Sequence, residues 1–489
     1  MIEKQRFSVV WLKRDLRLRD HQPIVRAIAR GRPILLLYIV ESIMLEDPHL
    51  DIRHWRFVYQ SLQDLNQQLS QFDTGVTVLM GECTKIFSDL EAMGMDAIFS
   101  HEEIGLAHTY KRDYELADWC NVNDVLWQES FYGAVKRPLK SRSTWQKHWQ
   151  KRIYSKTDDP ILDDAFFYQL PQSMSRYQYL WPKECKHHHP SFQLGGEKRA
   201  WFTMHHFFKD RGKRYFGNIG KPLEARETCS RLSPYLAWGN LSLKQVVQFT
   251  QTQQDRTGWK ASIRAFSSRL HWHCHFIQKF ETESDMQYRS VNTAYEKYPY
   301  CDQDTALKRF KAWSKGNTGI PIIDASMLAL INTGYLNFRM RAMLVSFLCH
   351  HLNVDWKLGV KFLASQFLDF EPGIHYPQFQ MQAGITGTNT IRIYNPIKQS
   401  NEKDPNGEFI KKWLPQLSCL PKEYIHAPYD IPAMEAAFLN FDVDRDYMRP
   451  IIDVEQAAKE ARIRLWAFRK DKGVRQEAIR IVKQHTVPD

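Results

Sequence analysis

Phe7-Ser-Val-Val-Trp-Leu12 and Ile34-Leu-Leu-Leu-Tyr-Ile-Val40 are short, continuous apolar runs. Val76-Thr-Val-Leu-Met80, Ala97-Ile-Phe-Ser100 and Val125-Leu-Trp127 repeat the theme, with amphipathic stretches at 52–71 and 108–119 between runs. Apolar strands alternating with helices read as strands covered on both faces, hence a parallel sheet in a doubly wound α/β domain. That domain is placed at 1–130. Neither G-x-G-x-x-G nor G-x-x-x-x-G-K-[ST] follows any run, so a nucleotide cofactor need not sit on this sheet.

Outward from it, residues 131–195 are basic, Pro-punctuated and weakly periodic, and read as an interdomain connector on the surface. From 196 to 489 helical periodicity dominates, giving an all-α C-terminal domain. Its candidate helices are 197–210, 242–254, 258–281, 304–314, 322–333, 337–353, 357–368 and 454–485. The last carries Arg462, Arg464, Arg469, Lys470, Lys472, Arg475, Arg480 and Lys483. Such a run is a solvated helix face or a nucleic-acid contact.

A chain of 489 residues holds several domains. Lys and Arg outnumber Asp and Glu by 67 to 55, a net charge of +12, which favours a polyanionic partner over a merely basic surface. The 15 Trp, 21 Tyr and 28 Phe suit stacking on bases or on a flat cofactor as well as core filling. The eight Cys are scattered without a C-x-x-C pair and read as reduced thiols. The longest apolar runs fall far short of the roughly 20 residues that a membrane helix needs. The N-terminus leads almost directly into a strand, with no room for a signal peptide. The expectation is a soluble, cytoplasmic monomer.

The segment Cys229-Ser-Arg-Leu-Ser-Pro-Tyr-Leu-Ala-Trp-Gly-Asn-Leu-Ser242 places small hydroxyls before a helix. Ser230 and Ser233 could hold a phosphate with nearby backbone N–H groups, or simply cap helices. His271 and His275, four apart, could pair on a metal, but no second ligand pair follows at a recognisable spacing, so no metal is expected. His187-His-His189 beside Cys185 reads as a solvated loop. Asp324 sits in an apolar context, and Arg341 within Asn337-Phe-Arg-Met-Arg341 needs a partner, because an unpaired buried charge is costly. Asp369 and Glu371 are the nearest acidic candidates after it.

At this point the chain resembles the photolyase/cryptochrome flavoproteins over nearly its whole length, as a bacterial member with an atypical substrate pocket. Val9-Val-Trp-Leu-Lys-Arg-Asp-Leu-Arg-Leu-Arg-Asp20 resembles the opening of their antenna-type domain, and Ser230-Arg-Leu-Ser-Pro-Tyr-Leu-Ala-Trp-Gly239 their FAD-phosphate segment. Gly319-Ile-Pro-Ile-Ile-Asp324, Asn337-Phe-Arg-Met-Arg341, Ile391-Arg-Ile-Tyr-Asn-Pro396 and Gly407-Glu-Phe-Ile-Lys-Lys-Trp-Leu-Pro415 match further blocks in the same order. The resemblance implies a U-shaped FAD in the helical domain. Tyr215, Cys229, Ser230, Leu232 and Ser233 would hold its phosphate side. Arg341 and Asp369 would pair against the isoalloxazine, with Glu371 at its polar edge and His375 facing N5. A folate or deazaflavin antenna in the N-terminal domain is a further expectation.

The resemblance also implies light-driven repair of UV-damaged DNA by electron transfer from excited reduced FAD to a pyrimidine dimer taken out of the stack. Trp272 matches the stacking Trp, with Arg392 and Lys398 near the rim. Trp356 and Trp313 match two members of the electron-relay Trp chain. Several positions depart from the family. The dimer-contacting Glu aligns with Arg269, and the substrate-contacting Asn and Met align with Phe338 and Ala342, where (6-4) enzymes carry two His. The flavin-proximal relay Trp aligns with Phe379 and the next pocket Trp with Met381. The alternative these departures raise is a cryptochrome-like blue-light photoreceptor that binds FAD without repair.

Overall fold

The computed structural model describes residues 5–486. These form two compact units. The first takes the described residues up to Phe208, with Arg231–Ser284 and Leu368–Gly373; the second takes Lys209–Ser230, Asp285–Phe367 and the described residues from Ile374 onward. These limits differ from the three segments 1–130, 131–195 and 196–489 read in the sequence.

In the first unit, β1 (Phe7–Leu12), β2 (Ile34–Val40), β3 (Thr77–Met80), β4 (Met95–His101) and β5 (Leu126–Ser130) form a parallel sheet in the order β3-β2-β1-β4-β5. The helices between them are α1 (Gln22–Ala29), α2 (Ile52–Leu69), α3 (Cys83–Ala92) and α4 (Ala107–Val122). Every residue of β1 and β2 is buried, which is why their sequences are apolar throughout instead of alternating. Val9 lies opposite Leu35 on one side and Ile98 on the other, and Phe87, Leu90 and Leu116 from α3 and α4 close over that layer. The doubly wound α/β reading therefore holds. The strand order reverses at β1, so a crevice opens where the chain leaves β1 and β4.

Single residues of the expected connector reach into the core, although most of it lies at the surface. Its α5 (Trp145–Ile153) buries Trp145, Trp149 and Ile153, one face of a helix at four-residue spacing. Tyr168 stacks on Phe7 with ring centroids 3.8 Å apart, and Phe167 bridges to Ile34. Proline punctuation and dense charge masked these contacts, because the buried residues are single aromatics and not runs. The unit also contains α6 (Glu197–Lys209), α7 (Ser233–Ala237), α8 (Leu243–Gln251) and α9 (Lys260–Thr282).

The second unit is helical: α10 (Gln303–Lys315), α11 (Pro321–Thr333), α12 (Phe338–Ser346), α13 (Trp356–Gln366), most of α14 (Pro372–Gln382), α15 (Val454–Arg469) and α16 (Lys472–His485) are its longer helices. α11 begins with Pro at its first position, where the missing N–H costs nothing. Gly319 precedes it at φ +76°, and a Cβ there would lie 2.4 Å from the Arg449 carbonyl oxygen, so the turn admits only glycine. Two expectations are corrected. The helix read over 337–353 ends at Ser346 and gives way to a wider π-type turn, Phe347–His351. The helix read over 454–485 is two helices. The Asp471 side chain accepts from Gly473 N at 2.7 Å and Val474 N at 3.2 Å and starts α16 afresh. The apolar periodicity runs on across the break, and the N-cap aspartate was the overlooked stop-and-start signal.

Candidate cofactor and nucleic-acid site

In the second unit, Arg341 on α12 donates from Nε to the Leu336 carbonyl at 2.7 Å and lays its guanidinium 3.9 Å from the centroid of Phe367. The arginine is thereby held flat and preorganised, the geometry in which a guanidinium serves a planar or carboxylate partner. Asp324 is fully buried and takes no part in such pairing. It accepts from Thr318 N (2.8 Å), Thr318 Oγ1 (2.6 Å), Gly319 N (3.0 Å) and Tyr447 Oη (2.5 Å). Its role is to pin the Gly/Pro turn ahead of α11. Burial pushes it up to about 6 even against these donors.

The chain around Cys229 and Ser230 is shaped by a residue the sequence reading missed. Arg211 donates to the carbonyls of Glu227 (2.8 Å), Ser230 (2.8 Å) and Cys229. An arginine after a helix with an unremarkable neighbourhood gave no signal in sequence. Tyr215 is buried in the same unit. Leu232 and Ser233 belong to the first unit, and neither serine of the pair occupies the N-cap of α7, which falls at Leu232. The capping serine of this segment is Ser242, whose Oγ accepts from Gln245 N at 3.0 Å while Gln245 Oε1 accepts from Ser242 N at 2.9 Å.

His375 pairs its Nε2 with the Val360 carbonyl at 2.8 Å, and sits edge-on to Phe367, Tyr376 and Phe379. A carbonyl can only accept, so His375 donates from a protonated Nε2. Trp356 packs on Phe379 and Tyr376, both at 6.4 Å, and Trp313 packs on Phe310 and Phe362. Gly359 is the reason Trp313 and Phe379 can approach each other's shell. A Cβ there would meet Leu348 Cδ2 at 2.2 Å, Phe379 Cζ at 3.1 Å and Trp313 Cη2 at 3.6 Å. Arg392 and Lys398 are exposed, whereas Ala342 is buried and Phe338 is 40% exposed.

In the first unit, Leu368–Gly373 is tied down by backbone acceptors. Trp238 Nε1 donates to Leu368 O at 3.0 Å, and Arg14 donates to Phe370 O and, at 3.1 Å, to Ala237 O. This segment carries Asp369 and Glu371. Glu371 is buried and accepts from Tyr132 Oη at 2.7 Å and Gly373 N at 3.3 Å. Burial raises its pKa, a rise that the Arg14 charge and these donors counter only in part. Trp272 is 44% exposed on α9, on the same outward face as Arg264, Ser268 and Arg269, and it tilts against Phe276 at 5.6 Å. Exposed indole beside two cations is the composition of a base-stacking, phosphate-contacting surface.

His271 and His275 are used as packing groups. His271 Nε2 donates to Gln146 Oε1 at 2.8 Å, and both rings lie edge-on to Trp145. Among the described residues one other group has ligand-like spacing, the buried Asp15, His21 and His101. Asp15 Oδ2 lies 2.6 Å from His101 Nδ1 and 3.1 Å from His21 Nε2. His21 Nδ1 accepts from Ile24 N at 3.3 Å, which leaves the proton on Nε2 facing Asp15. That is a hydrogen-bonded set centred on the Asp15 carboxylate, whose other oxygen accepts from Lys13 N at 2.7 Å. Burial alone would raise Asp15, but hydrogen bonds from both histidines outweigh it and hold it well below the usual range, while burial brings His101 down to about 4.

The crevice at the ends of β1, β2 and β4 is a cavity of about 50 Å³ lined by Trp11, Tyr38, Trp55, Trp238, Phe370, Glu41, Glu103 and Arg112 among others. Arg112 crosses its floor, bonded to Glu41 (2.8 Å), Glu103 (2.5 Å) and Asp113 (2.8 Å). Among the described residues no helix is long and apolar enough to cross a membrane.

A flavin-type helical region joined to a doubly wound domain defines a class, and comparison with known proteins narrows it. Residues 8–136 match the family model for DNA photolyase, and 266–467 that for the FAD binding domain of DNA photolyase. The chain is 26% identical over 482 residues to a deoxyribodipyrimidine photo-lyase of Agrobacterium fabrum, covering 93% of this chain and 96% of that protein. The crystal structure of a cryptochrome from Synechocystis superposes with a TM-score of 0.83 at 23% identity, over 95% of this chain and all of that one. An archaeal photolyase from Sulfolobus tokodaii, described with two FAD molecules that imply a novel light-harvesting cofactor, superposes with a TM-score of 0.76 at 22% identity over 94% of this chain and 99% of that one. The chain belongs to the DNA photolyase/cryptochrome flavoprotein family, and its cofactor is FAD.

Proposed function

We propose that this protein is a light-driven DNA-repair flavoenzyme that binds UV-damaged pyrimidines and splits them. The observation that carries the reading is Trp272, an exposed indole backed by Phe276 with Arg269 and Arg264 on the same helix face. FAD, when bound, supplies the light-excited electron donor. The chain's own residues do the rest. Arg341, held flat by Leu336 and Phe367, would serve the flavin ring of the cofactor. Arg211 fixes the Cys229–Ser230 backbone, which with Tyr215 would hold the phosphate side of the cofactor. His375 commits Nε2 to Val360, which fixes the orientation of its ring beside Phe367 and Phe379 where it would face the flavin. Glu371 shares its carboxylate with Tyr132 and sets the polar edge of the pocket. Trp272 stacks on the extruded bases, and Arg392 and Lys398 meet phosphates at the rim.

The strand-end cavity is the place for a second, flat antenna chromophore, with five aromatic side chains and a paired arginine in its lining. The alternative reading, a blue-light photoreceptor without repair, is favoured by Arg269, Phe338 and Ala342 where repair enzymes carry substrate contacts, and by Phe379 in the relay. Trp272→Ala separates the two. Under the repair reading it weakens binding of lesion-bearing DNA by about 30-fold, ~2 kcal/mol, with FAD content unchanged. Equal affinity of variant and parent for that DNA would remove the reading's main support.

A further inference from the structure

In the first unit six rings stand in an unbroken file. Trp272 lies 5.0 Å from His275, His275 6.0 Å from Trp145, Trp145 5.3 Å from His271, His271 4.8 Å from Trp149, and Trp149 5.9 Å from Tyr154. The file is buried in its middle, at Trp145 and Trp149, and opens to solvent at both ends, Trp272 at 44% and Tyr154 at 48% exposure. Hydrophobic packing explains the middle, but it does not call for an oxidisable ring in water at each end.

We propose that this file is a hole relay, in which an electron passes from Tyr154 through Trp149 and Trp145 to an oxidised Trp272. An excited, electron-accepting chromophore takes one electron from Trp272 and leaves an indole radical cation. Trp272 recovers that electron from the file. Tyr154 loses it, passes its phenolic proton to water, and is left a neutral radical. A small thiol or ascorbate-type reductant then returns an electron to Tyr154 and water returns the proton. The physiological oxidant would be a light-excited flavin in its oxidised state, not the reduced donor of the repair step, and the inference rests on the flavoprotein reading only there.

The surroundings favour transit over trapping. The Arg142 guanidinium lies 5.2 Å from the Trp145 ring centroid, and its charge opposes a hole resting on that ring. The Trp145 indole N–H has no hydrogen-bond acceptor among the described residues, so the oxidised ring cannot shed its proton and keeps its oxidising power. His271 donates from Nε2 to Gln146, and burial lowers its pKa, so the imidazole between the two tryptophans is neutral and does not repel the hole. At the far end, exposed Tyr154 can lose its phenolic proton to water as it is oxidised, which makes it the resting place of the hole. In the second unit the matching position beside Trp356 is Phe379, too hard to oxidise for a hop.

The test needs no flavin. Ser268, exposed one turn before Trp272 on α9, is replaced (Ser268→Cys) with the exposed Cys419 removed (Cys419→Ser), and a ruthenium polypyridyl is attached to the full-length protein. After flash-quench oxidation with a cobalt(III) ammine acceptor, radicals are read by electron paramagnetic resonance. The expected result is a tyrosyl radical that is lost in Tyr154→Phe, a surface change that leaves the fold intact. It is replaced by a tryptophanyl radical in Trp145→Phe and unchanged in Tyr114→Phe, another exposed tyrosine. A tyrosyl signal of equal yield in Tyr154→Phe, or none in the parent, would overturn the relay whatever the protein does with DNA or FAD.

Discussion

Two aromatic assemblies in this molecule invite comparison. In the first unit, tryptophan and histidine rings run without a gap from Trp272 to Tyr154 and reach water at both ends. In the second, Trp313 and Trp356 are fully buried and the ring packed against Trp356 is the phenyl group of Phe379. Similar numbers of rings thus have unlike chemistry. A single indole-to-phenyl exchange removes an oxidisable site while preserving the packing, as the tight shell at Gly359 demands.

The largest test of that contrast is Arg341→Ala. Removing this half-buried, preorganised guanidinium should cost about 3 kcal/mol of cofactor binding, so FAD affinity should fall by about two orders of magnitude. Binding of lesion-bearing DNA through Trp272 should persist, and a variant isolated fully loaded with FAD would show the role of Arg341 to be wrongly assigned. Next comes acid stability in the first unit. His101, brought down to about 4 by burial, stays neutral when folded but protonates near 6.5 when unfolded. The unfolded state thus binds more protons between those values, so stability falls as pH drops below about 6.5. At pH 5 His101 alone accounts for about 2 kcal/mol, and the depressed Asp15 acts in the same direction at lower pH. His101→Asn should flatten thermal melting temperature between pH 7 and pH 5, and an unchanged slope would refute the neutral assignment. The smallest energetic change is Phe379→Trp, with ~1 kcal/mol of strain beside Gly359. It should speed photoreduction of the bound flavin by added thiol under blue light, and an unchanged rate would locate the gap elsewhere than Phe379.

The sequence was most legible where burial is uniform. The runs at Phe7–Leu12 and Ile34–Val40 announced a two-sided sheet because every one of their side chains is inside. It was least legible where single residues act at long range. Trp145, Trp149 and Tyr168 pack the supposed connector into the core without forming an apolar run. Arg211 reaches carbonyls sixteen or more residues away, a contact no local pattern encodes. The Asp471 cap was readable but was overridden by periodicity that continues across it. For the site, motif order pointed to Arg341 and His375, whereas the His375–Val360 bond and the Tyr132–Glu371 bond required coordinates.

The measurement that bears most directly on the proposed repair is blue-light turnover of short DNA carrying either a cyclobutane dimer or a (6-4) photoproduct, with FAD chemically reduced beforehand. Prior reduction bypasses Phe379, so the result reports on the lesion pocket alone. Restoration of intact pyrimidines from one of the two lesions is the predicted outcome, and it would show that Arg269, Phe338 and Ala342 support catalysis. No restoration of either lesion, in single or double strands, would contradict repair and leave the photoreceptor reading in its place.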